Sequence, residues 1–364
     1  MKFTVSKALI SDALRKVTPV ATKGALPILA NVKVEATKTS VTFVTSDLDL
    51  SVIASIPCNV IEEGATTLPA KILSDAIGRA ADGDVSIEVD GATEKAKIAA
   101  GTSTFRLVGL PAADFPKFPT AEDHEVEFTI PQQVLKEALR STVYAMSKDD
   151  TRRTLKGLNL KFAEGKLVAA ATDGRRLAVS EYEPETAFDF EMEMTVPDRT
   201  VVELVRHLGN AGDAVISRKN TQMSVKLSDG FTLMTRLVDD AYPNYRQVIP
   251  KESPKTIGVD RAQLVSAIER VSVFSENNTI KLSFASGVLT LSSESSDMGD
   301  AKDDVAIKYD GEPFEARYNN LYLLDVLKAS DDDEITFLFS TGSAPVIVKD
   351  SQPGLAVIMP LRIS

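Results

Sequence analysis

Three stretches of this chain repeat one another, and a repeat of this length restricts the architecture more than any single motif does. Phe3-Thr4-Val5-Ser6, followed by Leu9, Ala13, Leu14 and Arg15, resembles Phe128-Thr129-Ile130-Pro131 followed by Val134, Ala138, Leu139 and Arg140. A weaker copy runs from Ile257-Gly258-Val259-Asp260 through Leu264, Ala267 and Ile268 to Arg270. Each copy opens with a short β-branched run and continues with apolar residues at three- and four-residue steps, which predicts a strand leading into a helix. Ser6, Pro131 and Asp260 stand at the break, where capping side chains and proline are favoured.

The second half of each unit repeats as well. Leu68-Pro69-Ala70-Lys71, Val196-Pro197-Asp198-Arg199 and Asn319-Asn320-Leu321-Tyr322 each open another helix. Alternating runs follow at Val85–Val89, Ala96–Ala99 and Thr104–Val108, then at Ala214–Ser217, Met223–Leu227 and Thr232–Val238, then at Glu334–Phe339 and Pro345–Val348. Phe115-Pro116-Lys117-Phe118-Pro119 matches Tyr242-Pro243-Asn244-Tyr245-Arg246 near the ends of the first two units. Three units are therefore expected at 1–122, 123–252 and 253–364. Each is an α+β domain with two helices packed on antiparallel sheet.

Charge argues at first against a nucleic-acid partner. The chain carries 41 basic and 52 acidic residues, a net charge of −11, whereas phosphate neutralisation needs Lys and Arg. The helices resolve this. At about 100° per residue, Leu9, Ile10, Ala13, Leu14 and Val17 form a buried stripe that leaves Lys7 and Arg15 outside. Leu73, Ile77 and Ala80 likewise oppose Lys71 and Arg79. Lys136 and Arg140 lie opposite Leu135 and Leu139, and Arg199 and Arg206 opposite Val201 and Leu204. Acids share these faces, so the stripes are mixed. If the helices converge, their common surface is basic and the sheets carry the acidic excess.

Catalytic signatures are missing. There is neither a G-x-x-x-x-G-K-[ST] loop nor a Rossmann glycine fingerprint. His124 and His207 are the only histidines, which leaves little for a His-rich metal site or a Ser-His-Asp arrangement. No metal and no cofactor is expected. A metal-dependent nuclease using Asp47, Asp49 and Asp173 is the rival reading. Alternation across Val44–Val52 instead puts Asp47 and Asp49 on a solvated strand face. Cys58 is the only cysteine and no apolar run is long enough for a membrane span, so a cytoplasmic protein without membrane contact is expected.

Several segments resemble the bacterial DNA polymerase III beta subunit, or beta sliding clamp, family. They are Met1-Lys2-Phe3-Thr4-Val5, Leu26-Pro27-Ile28-Leu29, Leu110-Pro111-Ala112-Ala113-Asp114-Phe115-Pro116, Ala171-Thr172-Asp173-Gly174-Arg175-Arg176-Leu177-Ala178-Val179 and Val357-Ile358-Met359-Pro360-Leu361-Arg362. The resemblance covers essentially the whole chain. It implies a non-enzymatic processivity factor, a head-to-tail homodimer closed into a ring around double-stranded DNA, without sequence preference. Helices would line the hole, with Lys7, Arg15, Lys71, Arg79, Lys136, Arg140, Arg152, Arg199 and Arg206 facing DNA. The family contact between subunits points to Phe105 and Leu107 against Val273 and Phe274. DNA polymerase subunits, the clamp loader and repair proteins would dock through short linear motifs. Their pocket would comprise Leu155, Thr172, Gly174, Arg175, Leu177, Pro243, Val248, Val357, Met359, Pro360 and Leu361, with Arg176 and Arg362 at its rim. The chain departs from the family where Arg175 replaces a histidine, where Arg153-Thr154 replaces an aromatic pair, and where Leu361 replaces a methionine.

Overall fold

The computed structural model describes residues 1–22, 26–117, 125–184, 188–296 and 299–361. In the first repeat the order is β1 (Lys2–Ser6), α1 (Lys7–Val17), β2 (Asn31–Thr37), β3 (Ser40–Ser46), β4 (Leu50–Pro57), β5 (Asn59–Glu62), β6 (Gly64–Pro69), α2 (Ala70–Arg79), β7 (Asp84–Asp90), β8 (Lys95–Ala100) and β9 (Ser103–Val108). The second has β10 (Val126–Pro131), α3 (Gln132–Arg140), β11 (Gly157–Ala163), β12 (Lys166–Thr172), β13 (Arg176–Tyr182), β14 (Met192–Pro197), α4 (Asp198–His207), β15 (Asp213–Lys219), β16 (Gln222–Leu227) and β17 (Phe231–Arg236). The third has β18 (Lys255–Asp260), α5 (Arg261–Ser272), β19 (Thr279–Ala285), β20 (Val288–Ser295), β21 (Gly299–Lys308), β22 (Phe314–Asn319), α6 (Asn320–Ala329), β23 (Glu334–Phe339), β24 (Val346–Lys349) and β25 (Gly354–Ile358).

The helix starts follow the capping chemistry. Ser6 Oγ accepts the Leu9 amide, Asp260 Oδ1 accepts that of Gln263, and Asn319 Oδ1 accepts those of Leu321 and Tyr322. These bonds satisfy first-turn donors that have no partner inside the helix. The apolar stripes are buried as expected, with Ile10, Leu14, Leu73, Ile77, Leu264, Ile268, Leu323 and Leu327 in the core. Leu9 departs from its stripe and is 41% exposed, because it lies about 100° round the helix from Ile10, at the edge of the stripe.

Two compact units arise, one from Met1–Gln133 with Arg206–Leu237 and one from Val134–Val205 with Val238–Ser364. Their edges cut through the second repeat because sheets run across repeat boundaries. One unit holds a five-stranded sheet, β5-β1-β7-β8-β9, and an eight-stranded sheet, β10-β15-β16-β17-β4-β3-β2-β6. The other holds a twelve-stranded sheet, β14-β11-β12-β13-β25-β24-β23-β18-β21-β20-β19-β22. Thus β17 of the second repeat pairs with β4 of the first, and β25 of the third pairs with β13 of the second. Each pairing satisfies a strand edge that would otherwise expose a row of backbone donors and acceptors.

These two joints are built alike. Ser51 lies opposite Met234 and Ala54 opposite Phe231 in the first. Leu177 lies opposite Val357 and Ser180 opposite Gly354 in the second. Beside each joint stands the same turn. Leu48 has φ 85° and Gly174 has φ 84°. Asp47 Oδ1 accepts the amides of Asp49 and Leu50, as Asp173 Oδ1 accepts those of Arg175 and Arg176. The turn carbonyls then accept from the incoming strand: Arg236 N–H donates to Asp49 O and Met359 N–H to Arg175 O, each at 2.9 Å. Asp47 and Asp49 therefore lie in a turn, not on a strand face. The carboxylates of Asp47 and Asp173 shape their own backbone, as Asx turns do, which removes the basis of the nuclease reading.

Two of the free edges among the described residues bear on these joints. β9 borders its sheet with Phe105 and Leu107 half-buried on one face and Thr104, Arg106 and Val108 exposed on the other. β21 pairs with β20 along its length but with β18 only at Lys308 and Ile307, so among the described residues Gly299–Ala306 has an uncovered edge.

Candidate partner-binding site and helical face

Strands β12 and β13 alternate, and this alternation makes the site. Val168 and Ala170 from β12 join Leu177 and Val179 from β13, Val357 from β25 and Ile347 from β24 in one apolar cluster. Tyr245, Ile249, Leu338 and Leu355 pack on it half-buried. Leu177 and Val357, both expected here, are each 1% exposed and form its floor. Thr172 closes the adjoining turn: its Oγ1 donates to Arg176 O at 2.6 Å, and its amide donates to Tyr242 Oη at 3.1 Å. Burial pushes the Tyr242 phenol above its ordinary range, so it stays a neutral hydrogen-bonding group. Met359 and Pro360 are half-buried where the chain leaves β25, and Val248 and Leu361 are 39% and 36% exposed. Gly174, Arg175 and Pro243 are exposed and Leu155 is half-buried. Arg362 lies outside the described residues, as do His124, Phe118 and Pro119.

Sequence reasoning missed Val168, Ala170, Val179, Tyr245, Ile249 and Ile347. The period-2 pattern of 168–170 and 177–179 was the available signal, since such residues share a face. Arg176 is a correction. It is 5% exposed and so does not stand at a rim. Alternation turns it away from Leu177, and its Nε lies 3.1 Å from Asp173 Oδ2 and its Nη1 2.5 Å from Asp325 Oδ2.

The expected DNA-facing cations differ in how they are held. Lys7 is engaged within its own unit: Nζ donates to Ala80 O at 2.5 Å, at the carbonyl end of α2, and to Asp82 at 3.0 Å. A cation is stabilised at a helix C-terminus by its dipole. Arg15 pairs with Asp12, and Arg140 makes a two-pronged contact with Asp331 at 3.1 Å. Arg152 Nη1 donates to Asp173 O at 3.3 Å. Lys71 and Arg79 project from α2 into solvent, Arg199 and Arg206 are likewise exposed on α4, and Lys136 is half-buried. A groove of about 1060 Å³ runs between α1 and α2, lined by Ala8, Ser11, Arg15, Lys71, Ser74 and Gly78 among others. It is separate from the apolar cluster and belongs to the helical side of the first repeat. Among the described residues no His, Cys, Asp and Glu group could hold a metal ion, and no helix is long and apolar enough to cross a membrane.

Domain profiles of one family cover nearly the whole chain. The DNA polymerase III beta subunit N-terminal domain matches residues 1–119, its central domain 129–244 and its C-terminal domain 246–362. The Beta sliding clamp of Caulobacter vibrioides is 33% identical over 100% of both chains, and that of Chlamydia pneumoniae is 30% identical over 100% of this chain and 99% of the other. Among solved structures, the sliding clamp of Bartonella birtlesii bound to griselimycin is 32% identical with a TM-score of 0.94. The Pseudomonas aeruginosa clamp bound to griselimycin is 28% identical with a TM-score of 0.93, and both comparisons cover 100% of each chain. The chain belongs to the bacterial DNA polymerase III beta subunit, or beta sliding clamp, family, the non-catalytic processivity subunits of DNA replication.

Proposed function

We propose that the chain acts as a head-to-tail homodimer closed around duplex DNA, with boundaries between its three clamp domains near residues 122 and 252. One observation carries the reading: the two filled joints share a register, and the β9 edge and the uncovered stretch of β21 correspond, position for position, to the two sides of the first of them. Phe105 occupies in β9 the place of Leu233 in β17. The ladder Ile87–Ile98–Phe105 corresponds to Ile216–Val225–Leu233. Asp303 occupies in β21 the place of Ala54 in β4, opposite Leu291 and Phe43 respectively. Carrying the common register across puts Phe105 opposite Ala301 of a second copy, Arg106 opposite Asp300 and Thr104 opposite Lys302. Phe105 and Leu107 would extend the core towards Val273, which is 68% exposed at the end of α5, and Phe274. Each chain offers one edge of each kind, so two chains make two such joints and neither of these two edges is left over. A rotation that closes in this way gives a ring rather than a filament.

Encirclement also explains the charge. Mixed helix faces release few counterions from DNA, and a ring that cannot dissociate sideways does not need them to. Arg15, Lys71, Arg79, Lys136, Arg140, Arg152, Arg199 and Arg206 would steer the duplex; Lys7 would stiffen the end of α2. The apolar cluster beside Met359 is the seat for short peptide motifs of polymerase subunits, the loader and repair proteins, and for griselimycin. Its floor is dry enough for a few apolar anchors to dominate affinity. The cytoplasm is the proposed location, where bacterial DNA is copied. Replacing Val273 and Phe274 together by Ala should turn the dimer into folded monomer of 39.3 kDa. A dimer that persists at low micromolar concentration would overturn the interface.

A further inference from the structure

We infer that Arg176, with Tyr144, Tyr322 and Asp325, is a positioning device for the partner pocket: it ties the Thr172–Arg176 turn to helix α6 rather than offering its charge to a peptide. The inference rests on the pocket reading above. The guanidinium carbon lies 4.4 Å from the Tyr322 ring centroid and 5.6 Å from that of Tyr144. Two carboxylates, Asp173 and Asp325, take its in-plane donors. Tyr322 and Asp325 are three residues apart on α6 and so share a helix face. The charge is thus neutralised, sandwiched between rings and 5% exposed, which leaves little of it for a ligand.

What it holds is the wall of the pocket. Arg176 O accepts the Thr172 hydroxyl, and the neighbouring Arg175 O accepts the Met359 amide. Leu177, the next residue, forms the pocket floor on the opposite face of the strand. An internal comparison separates this role from folding of the turn. The first repeat builds the same turn with Leu50 in place of Arg176, 2% exposed and uncharged. Charge is therefore not required to make the turn. Replacing buried ion pairs by apolar groups is often neutral or stabilising, so such a pair is weak evidence for stability alone. An arginine held by four groups fixes an orientation, which an apolar plug does not.

The test is calorimetry with griselimycin on the full-length chain. Asp325→Asn should weaken binding about fivefold or more, the lower end of ordinary coupling between sites. Tyr322→Phe should bind like the parent and Tyr322→Leu should not. Griselimycin should also slow amide exchange across residues 320–329 in the parent chain, but not in Asp325→Asn, a response that simple destabilisation would not remove. Unchanged or tighter binding by Asp325→Asn would overturn the inference, since freeing the guanidinium would then cost nothing. Failure of the parent chain itself to bind griselimycin would instead overturn the pocket reading.

Discussion

Reversing a single charge on the β9 edge tests the register of the proposed joint. With Arg106 opposite Asp300 of the second copy, the pair lies on the exposed face of both strands. Cross-strand opposite charges contribute about 0.2–1 kcal/mol, and like charges directly opposite are unfavourable. Solvent screens both groups, so the low end applies to the attraction. Arg106→Glu replaces attraction by repulsion and should cost about 1 kcal/mol per joint. A ring contains two joints, so about 2 kcal/mol is lost per dimer, which raises the dissociation constant roughly 30-fold. Asp300→Arg should do the same, and the two changes together should restore the dimer. Sedimentation velocity at low salt measures the effect, which should shrink as ionic strength rises. Single variants that dimerise like the parent, or a double variant no better than either single, would refute the register.

Two further outcomes follow from the site and the surface. Deleting Met359–Ser364 removes the chain that leaves β25 beside the apolar cluster, so griselimycin binding should vanish in calorimetry while the dimer survives; retained affinity would displace the pocket from this strand end. The Ser351 side chain and amide hold the Asp332 carboxyl below its usual range. A depressed carboxylate contributes stability above its unfolded value of about 3.9, and loses it as pH falls through the lower folded value. Asp332→Asn should therefore lower the melting temperature at pH 7, by a margin that shrinks as pH falls below about 3.9, and a pH-independent difference would contradict the assignment.

Much of the fold was legible because it is local. Ser6 and Asp260 announce their helices by cap chemistry, and Leu73 with Ile77 announces a buried face by spacing. The joints were not legible, because a period-2 pattern says which face of a strand is buried and nothing about its neighbour. β17 and β25 therefore read as strands, without a sign that each pairs with an earlier repeat. The turn at Asp47–Asp49 was hidden for a different reason. Alternation in Val44–Val52 continues across it, and Leu48 takes the left-handed conformation that Gly174 takes in the second repeat, so no glycine marks the break. In the apolar cluster, Leu177 and Val357 are singled out by motif resemblance, whereas Tyr245 and Ile249 come from a loop whose packing no periodicity encodes. Burial of Arg176 runs against the usual exposure of arginine; only its alternation with Leu177 hinted that it faces the helices.

The central claim is linkage to DNA by encirclement, and retention on circular against linear duplex tests it most directly. Loaded onto a closed circle by its loader, the protein should remain bound through gel filtration at high salt, because no phosphate contact has to hold it. A single double-strand cut in the same circle should release it by sliding off the ends. A protein held by charge would leave both substrates alike as salt weakens phosphate contacts. Equal, salt-sensitive loss from circular and linear DNA would contradict the account.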